Sequence, residues 1–339
     1  SGDWSSDVCS SDLAEQVSLL GGRNMWNTVP NDRIGLEKMR VSDGPGGVRG
    51  SKFDGPASMN VPCGTAIAAS WDTALVRDIG ELLGREVVAK GARVHLAPTI
   101  NLHRTPVGGR NFECMSEDPY LTAITAREYV LGVQSQGVAS CIKHFVGNDT
   151  EFERMTIDSQ IDERTLREMY LLPFEHAVRD AQVMSIMTSY NRINGPYAAD
   201  STWLLRDVLR GEWKFDGMVV SDWFGLHSTV EGVVAGLDLE MPGPTLHRGD
   251  ALVAAVERGE VSADLLRDCA RNILNLMERT GGTDVPPGPE ISRTHADDMA
   301  TLRRASSSAM VLLRNERIGG TPVLPLDVRG LTSIAVLGP

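Results

Sequence analysis

Short, unbroken apolar runs alternate along this chain with longer stretches in which apolar residues recur every three or four positions. The first pattern fits buried strands and the second fits amphipathic helices. Strand-like runs lead into Val41 and occupy 94–98, 138–142, 183–187 and 218–220, with a further candidate at 236–242. Helical spacing fills the intervals. Asp72 can cap a helix carrying Leu75, Ile79, Leu82, Leu83 and Val87 on one face. Other helices are expected from Ala14 toward Trp26, over 120–136, and from Asp162 toward Pro173 with Leu166, Met169 and Tyr170 on one side. A last one follows Ser262, with Leu265, Leu266, Cys269, Ile273, Leu276 and Met277 as its apolar face. Strands alternating with helices in this way predict a parallel βα architecture.

The strand-like runs stop on polar residues: Ser42-Asp43, Lys143-His144, Ser189-Tyr190-Asn191 and Ser221-Asp222. In barrels and wound α/β sheets the carboxyl ends of strands build the active site, so these residues are candidates for chemistry. So many polar strand ends favour a barrel over an open sheet. Each candidate also has a plain structural role: Asp222 can cap a following helix, Asp43-Gly44-Pro45 is a common turn, and a lone His or Lys is usually satisfied or solvated. Two further features stand out. Glycines and a proline packed around Asp43 make a tight turn that would present its carboxylate together with Arg49, and the polar loop 101–119 aims Arg110 from behind Gly108-Gly109.

Length and charge narrow the classes. At 339 residues the chain exceeds the ~250 typical of one (β/α)8 barrel, which predicts a barrel plus something more. Residues 1–13 are a Ser/Asp-rich leader without periodicity. Thr280 to Pro289 is rich in Gly and Pro and reads as a linker, after which a helical stretch near 299–310, a short apolar run at 311–313 and a strand at 334–337 look like the start of a second α/β domain. With 33 Lys and Arg against 45 Asp and Glu the formal charge is -12, which argues against nucleic acid or an anionic membrane surface as partner. No apolar run is long enough to span a bilayer, and no signal peptide is recognisable, so a cytoplasmic protein is expected. Five scattered cysteines lack metal-type spacing and are expected as reduced thiols; no metal or cofactor is expected, and no phosphate-binding glycine loop follows any strand.

Taken together, Ser42-Asp43-Gly44-Pro45, Gly109-Arg110-Asn111-Phe112-Glu113, Ser116-Glu117-Asp118-Pro119, Lys143-His144-Phe145, Ser189-Tyr190-Asn191 with Asn194-Gly195, and Val220-Ser221-Asp222-Trp223 resemble glycoside hydrolase family 3, in its β-glucosidase-like branch. The likeness runs from about Ala14 to Pro339. It implies a catalytic (β/α)8-type, TIM-like barrel over 14–279, a linker over 280–298, and the beginning of an α/β sandwich domain over 299–339. It makes Asp222 the nucleophile of a retaining glycosidase acting on terminal β-D-glucosyl groups. It makes Asp43 the anchor for sugar hydroxyls, sets Arg49, Arg110, Lys143, His144, Arg154 and Tyr190 around the same ring, and gives Trp223 a stacking wall.

Such chemistry needs a carboxylate that attacks the anomeric carbon and a second carboxyl ~5 to 5.5 Å away to protonate the departing oxygen. Lys143, Arg110 and Arg154 are expected to hold the pKa of Asp222 down. The family's acid/base glutamate lies in the second domain, outside this chain, so no carboxylate here inherits that role, and turnover by the chain alone is expected to be weak. The N-acetylglucosaminidase branch uses an Asp/His pair after the Lys-His-Phe motif, but 146–154 holds Asp149 and no His. The expected partner is a carbohydrate substrate: a β-glucoside, an oligosaccharide, or an aryl or plant glycoside, with self-association left open. Two other classes remain: an aldolase using Lys143 as a Schiff-base lysine, and a non-catalytic carbohydrate-binding barrel.

Overall fold

The structure is a computed structural model and describes residues 12–337. Strands β1 (Val41–Asp43), β2 (Val94–Leu96), β3 (Ala139–Phe145), β4 (Ser185–Thr188) and β5 (Met218–Val220) form one parallel sheet in that order. Val41 lies opposite Val94, Val94 opposite Ala139, Ile142 opposite Ile186, and Ile186 opposite Val219. Beyond β5 the pairing continues as single bridges: Val220 with Leu239, Glu240 with Gly21, Gly22 with Thr28, and Asn27 with Arg40, the residue before β1. These pairs lead from one edge of the sheet back to the other. They are compatible with an irregular barrel, although no continuous ladder closes it among the described residues.

The strand expected over 236–242 is thus reduced to bridges at Leu239 and Glu240. One cause is local: a side chain, the Asp238 carboxylate, takes the Val219 N–H at 2.7 Å, and Pro242 has no N–H to offer.

Helices α1 (Leu13–Leu19), α2 (Thr73–Ala89), α3 (Pro119–Gln134), α4 (Leu172–Arg179), α5 (Ala263–Arg279) and α6 (Ala296–Ser308) form, and α2, α3, α5 and α6 follow the expected spans closely. Asp72 accepts the Leu75 N–H at 2.9 Å, and Leu75, Ile79, Leu82, Leu83 and Val87 are all buried. On α5 the expected apolar face is buried except for Leu265, which is half-buried.

Three expectations shift. Helix α1 stops at Leu19 and not at Trp26, because Gly21 and Gly22 turn into the bridges with Glu240 and Thr28. Asp12 caps α1 by accepting from Glu15 N at 2.8 Å, so Asp12 and Leu13 belong to the fold; the rest of the expected leader lies outside the described residues. Met169 is exposed while Leu166 and Tyr170 are buried, because Leu166–Tyr170 winds as a wider π turn that rotates it off their face.

Successive strand residues point to opposite sides of the sheet. Ile142, Ile186 and Val219 pack with Val130, Phe174 and Leu205, whereas Cys141, Met187, Met218 and Val220 join Val41, Val94, Leu266 and Ile273. Burial on both faces is what a parallel sheet requires.

Past α5 the chain lies along the body of the fold. Arg93 Nη1 donates to Thr280 O at 2.9 Å, Arg40 Nη1 to Gly288 O at 3.0 Å, and Glu37 N to Thr283 O at 2.8 Å. Helix α6 packs on α2, with Ala305 buried and Arg304 paired to Asp72 at 2.7 Å. The strand expected at 334–337 does not form: no neighbouring described segment offers its backbone a ladder, and Val336 and Leu337 face solvent, as does Leu313 of the apolar run 311–313. Among the described residues of this region, Arg317–Ile318 pairs with Thr321–Pro322 in a short hairpin. Among the described residues no helix is long and apolar enough to cross a membrane.

Candidate active site

Because the sheet is parallel, the carboxyl ends of its strands gather at one end of the fold. Asp43 is the last residue of β1, Tyr190 follows β4, and Asp222 follows β5. Lys143 and His144 are adjacent within β3, where neighbours ordinarily face opposite ways. The β3–β4 pairing shifts register between Ile142 and Phe145, and both side chains reach the same cavity. That cavity, about 330 Å³, is lined by Asp43, Arg49, Arg110, Lys143, His144, Arg154, Tyr190, Asp222 and Trp223, and also by Trp26, Leu96, Glu113 and Met187. Every site residue expected from the sequence therefore meets in one place. The volume sits at the lower end for small-molecule pockets and suits a single sugar-sized ring.

The β1 turn aims its two charges as the composition suggests. Gly47 N donates to Gly44 O at 3.0 Å and Arg49 N to Asp43 O at 2.9 Å. Gly44 has φ +122, and a Cβ there would lie 1.9 Å from Gly47 O, so only glycine closes this turn. Asp43 Oδ1 then meets Lys143 Nζ at 2.5 Å, and its Oδ2 lies 3.6 Å from Arg49 Nη1. Burial alone would raise the pKa of Asp43, but the Lys143 ammonium and the Arg49 guanidinium overcome it and hold the carboxyl down at about 2.

A second set of pairs orders the arginines. Gly109, at φ +92, lets the 101–119 loop approach Glu151, whose Cβ a side chain at 109 would meet at 2.9 Å. Glu151 consequently bridges Arg154 Nη1 at 2.6 Å and Arg110 Nη1 at 3.7 Å. Arg110 Nη2 also donates to Glu113 Oε2 at 2.8 Å, and Thr99 Oγ1 donates to the same oxygen at 3.1 Å. The Arg154 guanidinium lies 4.7 Å from the centre of the Tyr190 ring.

Asp222 sits among these groups without a strong partner of its own. Its Oδ1 accepts the Trp223 N–H at 2.7 Å, while its buried Oδ2 has no hydrogen bond. No helix starts on it, so it is not a cap; the next helix begins at Val230. The expectation that nearby cations would depress its pKa is overturned: burial pushes it up to about 6, with the Lys143 charge, the Trp223 N–H, the neighbouring Tyr190 hydroxyl and the Arg110 charge offsetting only part. The reason lies in the pairing. Lys143 is committed to Asp43, Arg110 to Glu113, and Arg154 to Glu151. His144 adds no charge, since burial first, and then Arg110 and Lys143, drive its pKa well below the ordinary imidazole value. Asn101 holds that ring's backbone, its Oδ1 accepting from His144 N at 2.9 Å and its Nδ2 donating to His144 O at 2.9 Å.

Trp26, Glu113, Glu151 and Asn101 are site components that motif reading assigned no role. Trp26 tilts against Trp223 at 5.7 Å between ring centres, and the Trp223 indole N–H donates to Met25 O at 2.9 Å. Nothing local marks Trp26, because its neighbour is almost two hundred residues away; Glu113 and Glu151 could have been suspected from acids three residues from Arg110 and Arg154. The Lys143 amine, tied to Asp43, is not the free amine that a Schiff-base lysine requires.

A family profile described as the Glycosyl hydrolase family 3 N terminal domain matches residues 11–276. The chain is 51% identical over 330 residues to a beta-glucosidase of Rhizobium radiobacter, covering 96% of this chain and 40% of that protein. Its fold resembles the crystal structure of a beta-glucosidase from Kluyveromyces marxianus in complex with glucose, with TM-score 0.89 and 41% identity over 93% of this chain and 39% of that one. It also resembles beta-glucosidase 3B from Thermotoga neapolitana in complex with alpha-D-glucose, with TM-score 0.85 and 35% identity over 96% of this chain and 48% of the other. The chain thus spans less than half the length of these relatives. On its motifs, its fold and the extent of these matches, the chain belongs to glycosyl hydrolase family 3.

Proposed function

We propose that this chain is the nucleophile-bearing part of a retaining β-glucosidase. The glycosyl ring of a β-D-glucoside occupies the cavity at the strand ends. The Asp222 carboxylate attacks the anomeric carbon, the bond to the departing oxygen breaks, and a glycosyl-enzyme ester forms on Asp222; water then attacks the same carbon and releases the sugar and the carboxylate. The departing oxygen takes its proton from a carboxylic acid supplied by a further domain following the 280–298 linker, with 14–279 as the catalytic unit, and the carboxylate so formed takes back the proton of the attacking water. Asp43, held ionised by Lys143 and Arg49, accepts hydrogen bonds from sugar hydroxyls, and Arg110, Lys143, Arg154 and His144 offer complementary polar groups. Trp223 gives the ring an aromatic wall.

The observation that carries this proposal is the unpartnered, buried Oδ2 of Asp222 in a cavity otherwise filled with satisfied ion pairs. A carboxylate committed to no cation, its Oδ1 held by the Trp223 N–H and its Oδ2 without a hydrogen bond, is available for attack. The test is incubation with an activated 2-deoxy-2-fluoro-β-glucoside, whose reaction needs little acid assistance, followed by mass spectrometry of the digested chain. The expected adduct sits on Asp222 and is absent in Asp222→Ala. No adduct, or one elsewhere, would remove Asp222 from the role.

A further inference from the structure

Arg49 is the most exposed of the charged groups lining the candidate pocket. Its side chain is 57% exposed, and among the described residues its one ion pair is the 3.6 Å contact with Asp43. A side chain that open keeps much of its rotamer freedom, so its direction depends on the backbone that carries it.

That backbone is tied down step by step. Arg49 N donates to Asp43 O at 2.9 Å, and Gly50 N to Ser42 Oγ at 2.9 Å. The next tie comes from 239 residues further along the chain. Glu290, whose side chain is 11% exposed, accepts from Ser51 N at 3.0 Å, and the Ser51 hydroxyl donates to the same Oε1. Its Oε2 is buried without a hydrogen bond and lies 2.2 Å from where a Cβ on residue 50 would be. Gly50, at φ +76, therefore both makes the turn and leaves room for the carboxylate.

Glu290 is only one of several ties on its own segment. Ile291 N donates to Ala89 O at 2.9 Å, and Arg293 pairs with the buried Glu86 at 3.3 Å and the buried Asp298 at 2.8 Å. Arg40 Nη1, 3.7 Å from Glu290 Oε1, donates to Gly288 O and to Lys90 O. These contacts hold 288–298 on the body of the fold from both sides of residue 290. The hydrogen bonds that Glu290 accepts go instead to the loop carrying Arg49.

We propose that Glu290 is a positioning residue of the candidate pocket: by holding Ser51 it fixes the 49–51 backbone and aims the Arg49 guanidinium at Asp43 and at the sugar bound there. The inference rests on the reading of that pocket as the sugar site. One wall of the pocket is then set from the stretch that follows the Gly/Pro-rich segment.

The test is a double-mutant cycle on the full chain, read by calorimetric titration with methyl 1-thio-β-D-glucoside, a ligand that is not hydrolysed. Glu290→Ala is expected to weaken binding roughly three- to tenfold. Glu290→Gln, which keeps an acceptor for Ser51, should bind as wild type does. In an Arg49→Ala background the loss from Glu290→Ala should vanish, because the group it aims is gone. Arg293→Ala, which cuts another tie of the same segment, should lower the unfolding midpoint and leave binding unchanged. Should Glu290→Ala fail to fold, Ser51→Ala, which removes one of the two donors, carries the same cycle. Equal losses with and without Arg49, an equal loss from Arg293→Ala, or no loss at all overturns the proposal and leaves the sugar pocket intact. Failure of the wild type to bind overturns the sugar pocket itself, and this inference with it.

Discussion

His144 Nε2 stands 3.5 Å from Oδ2 of Asp222 at the base of the pocket, and no hydrogen bond satisfies that oxygen. The imidazole is held neutral by burial and by the neighbouring Arg110 and Lys143 charges, so it lends the carboxylate no counter-charge. Ionising Asp222 therefore remains costly, and its pKa of about 6 follows.

A nucleophile with that pKa reacts only when deprotonated. Glycosyl-enzyme formation from the activated fluoroglucoside should be flat above neutral pH and fall about tenfold per pH unit below about 6. A pH series of labelling rates checks this. An acid limb at the ordinary carboxylate value near 4 would contradict it.

The same shift has a cost in stability. A carboxyl raised from 3.8 to about 6 binds its proton more tightly folded than unfolded, so stability declines as pH rises through that window, and the deficit is complete above it. Asp222→Asn keeps the Trp223 N–H acceptor and removes the charge. It should abolish labelling and raise the unfolding free energy at neutral pH by roughly 1–3 kcal/mol, measured by urea denaturation.

Asp43 behaves oppositely. Its pKa of about 2 contributes stability that is present above pH 4 and is lost as pH falls through 2, on the order of 2 kcal/mol. Asp43→Ala leaves the buried Lys143 ammonium unpaired, which should cost about 3–5 kcal/mol at neutral pH. Denaturation midpoints of the variant and of wild type across pH 2–7 check both statements, and a variant as stable as wild type would count against the ion pair's role.

Glu151 acts on the pocket through the arginines it bridges. Glu151→Gln should weaken binding of methyl 1-thio-β-D-glucoside roughly tenfold by loosening Arg154 from Tyr190. It should also move the acid limb of labelling below 6, because Arg110 and Arg154 relieved of Glu151 bear more strongly on Asp222. A purely structural Glu151 would leave the limb where it is.

Much of the fold was legible because its signals are local. Helix α2 follows from Asp72 and the spacing of Leu75 to Val87, and β1 to β5 follow from apolar runs that the parallel sheet buries on both faces. The boundaries that shifted have particular causes. Gly21 and Gly22 end α1 early, a π turn turns Met169 outward, and the Asp238 side chain occupies the Val219 N–H that a ladder would have used.

What the sequence by itself determined was the strand-end part of the pocket: Asp43, Lys143, His144, Tyr190 and Asp222 must converge once the strands run parallel, while Arg49, Arg110, Arg154 and Trp223 were legible through the family's motifs and Trp26 and Glu113 were not. What only the tertiary structure decided was how those charges are shared out. Coulombic pairing depends on ångström distances between residues far apart in the chain, and once Lys143 lies 2.5 Å from Asp43 and Arg154 lies 2.6 Å from Glu151, one carboxylate is driven down to about 2 and Asp222, buried and left over, rises to about 6.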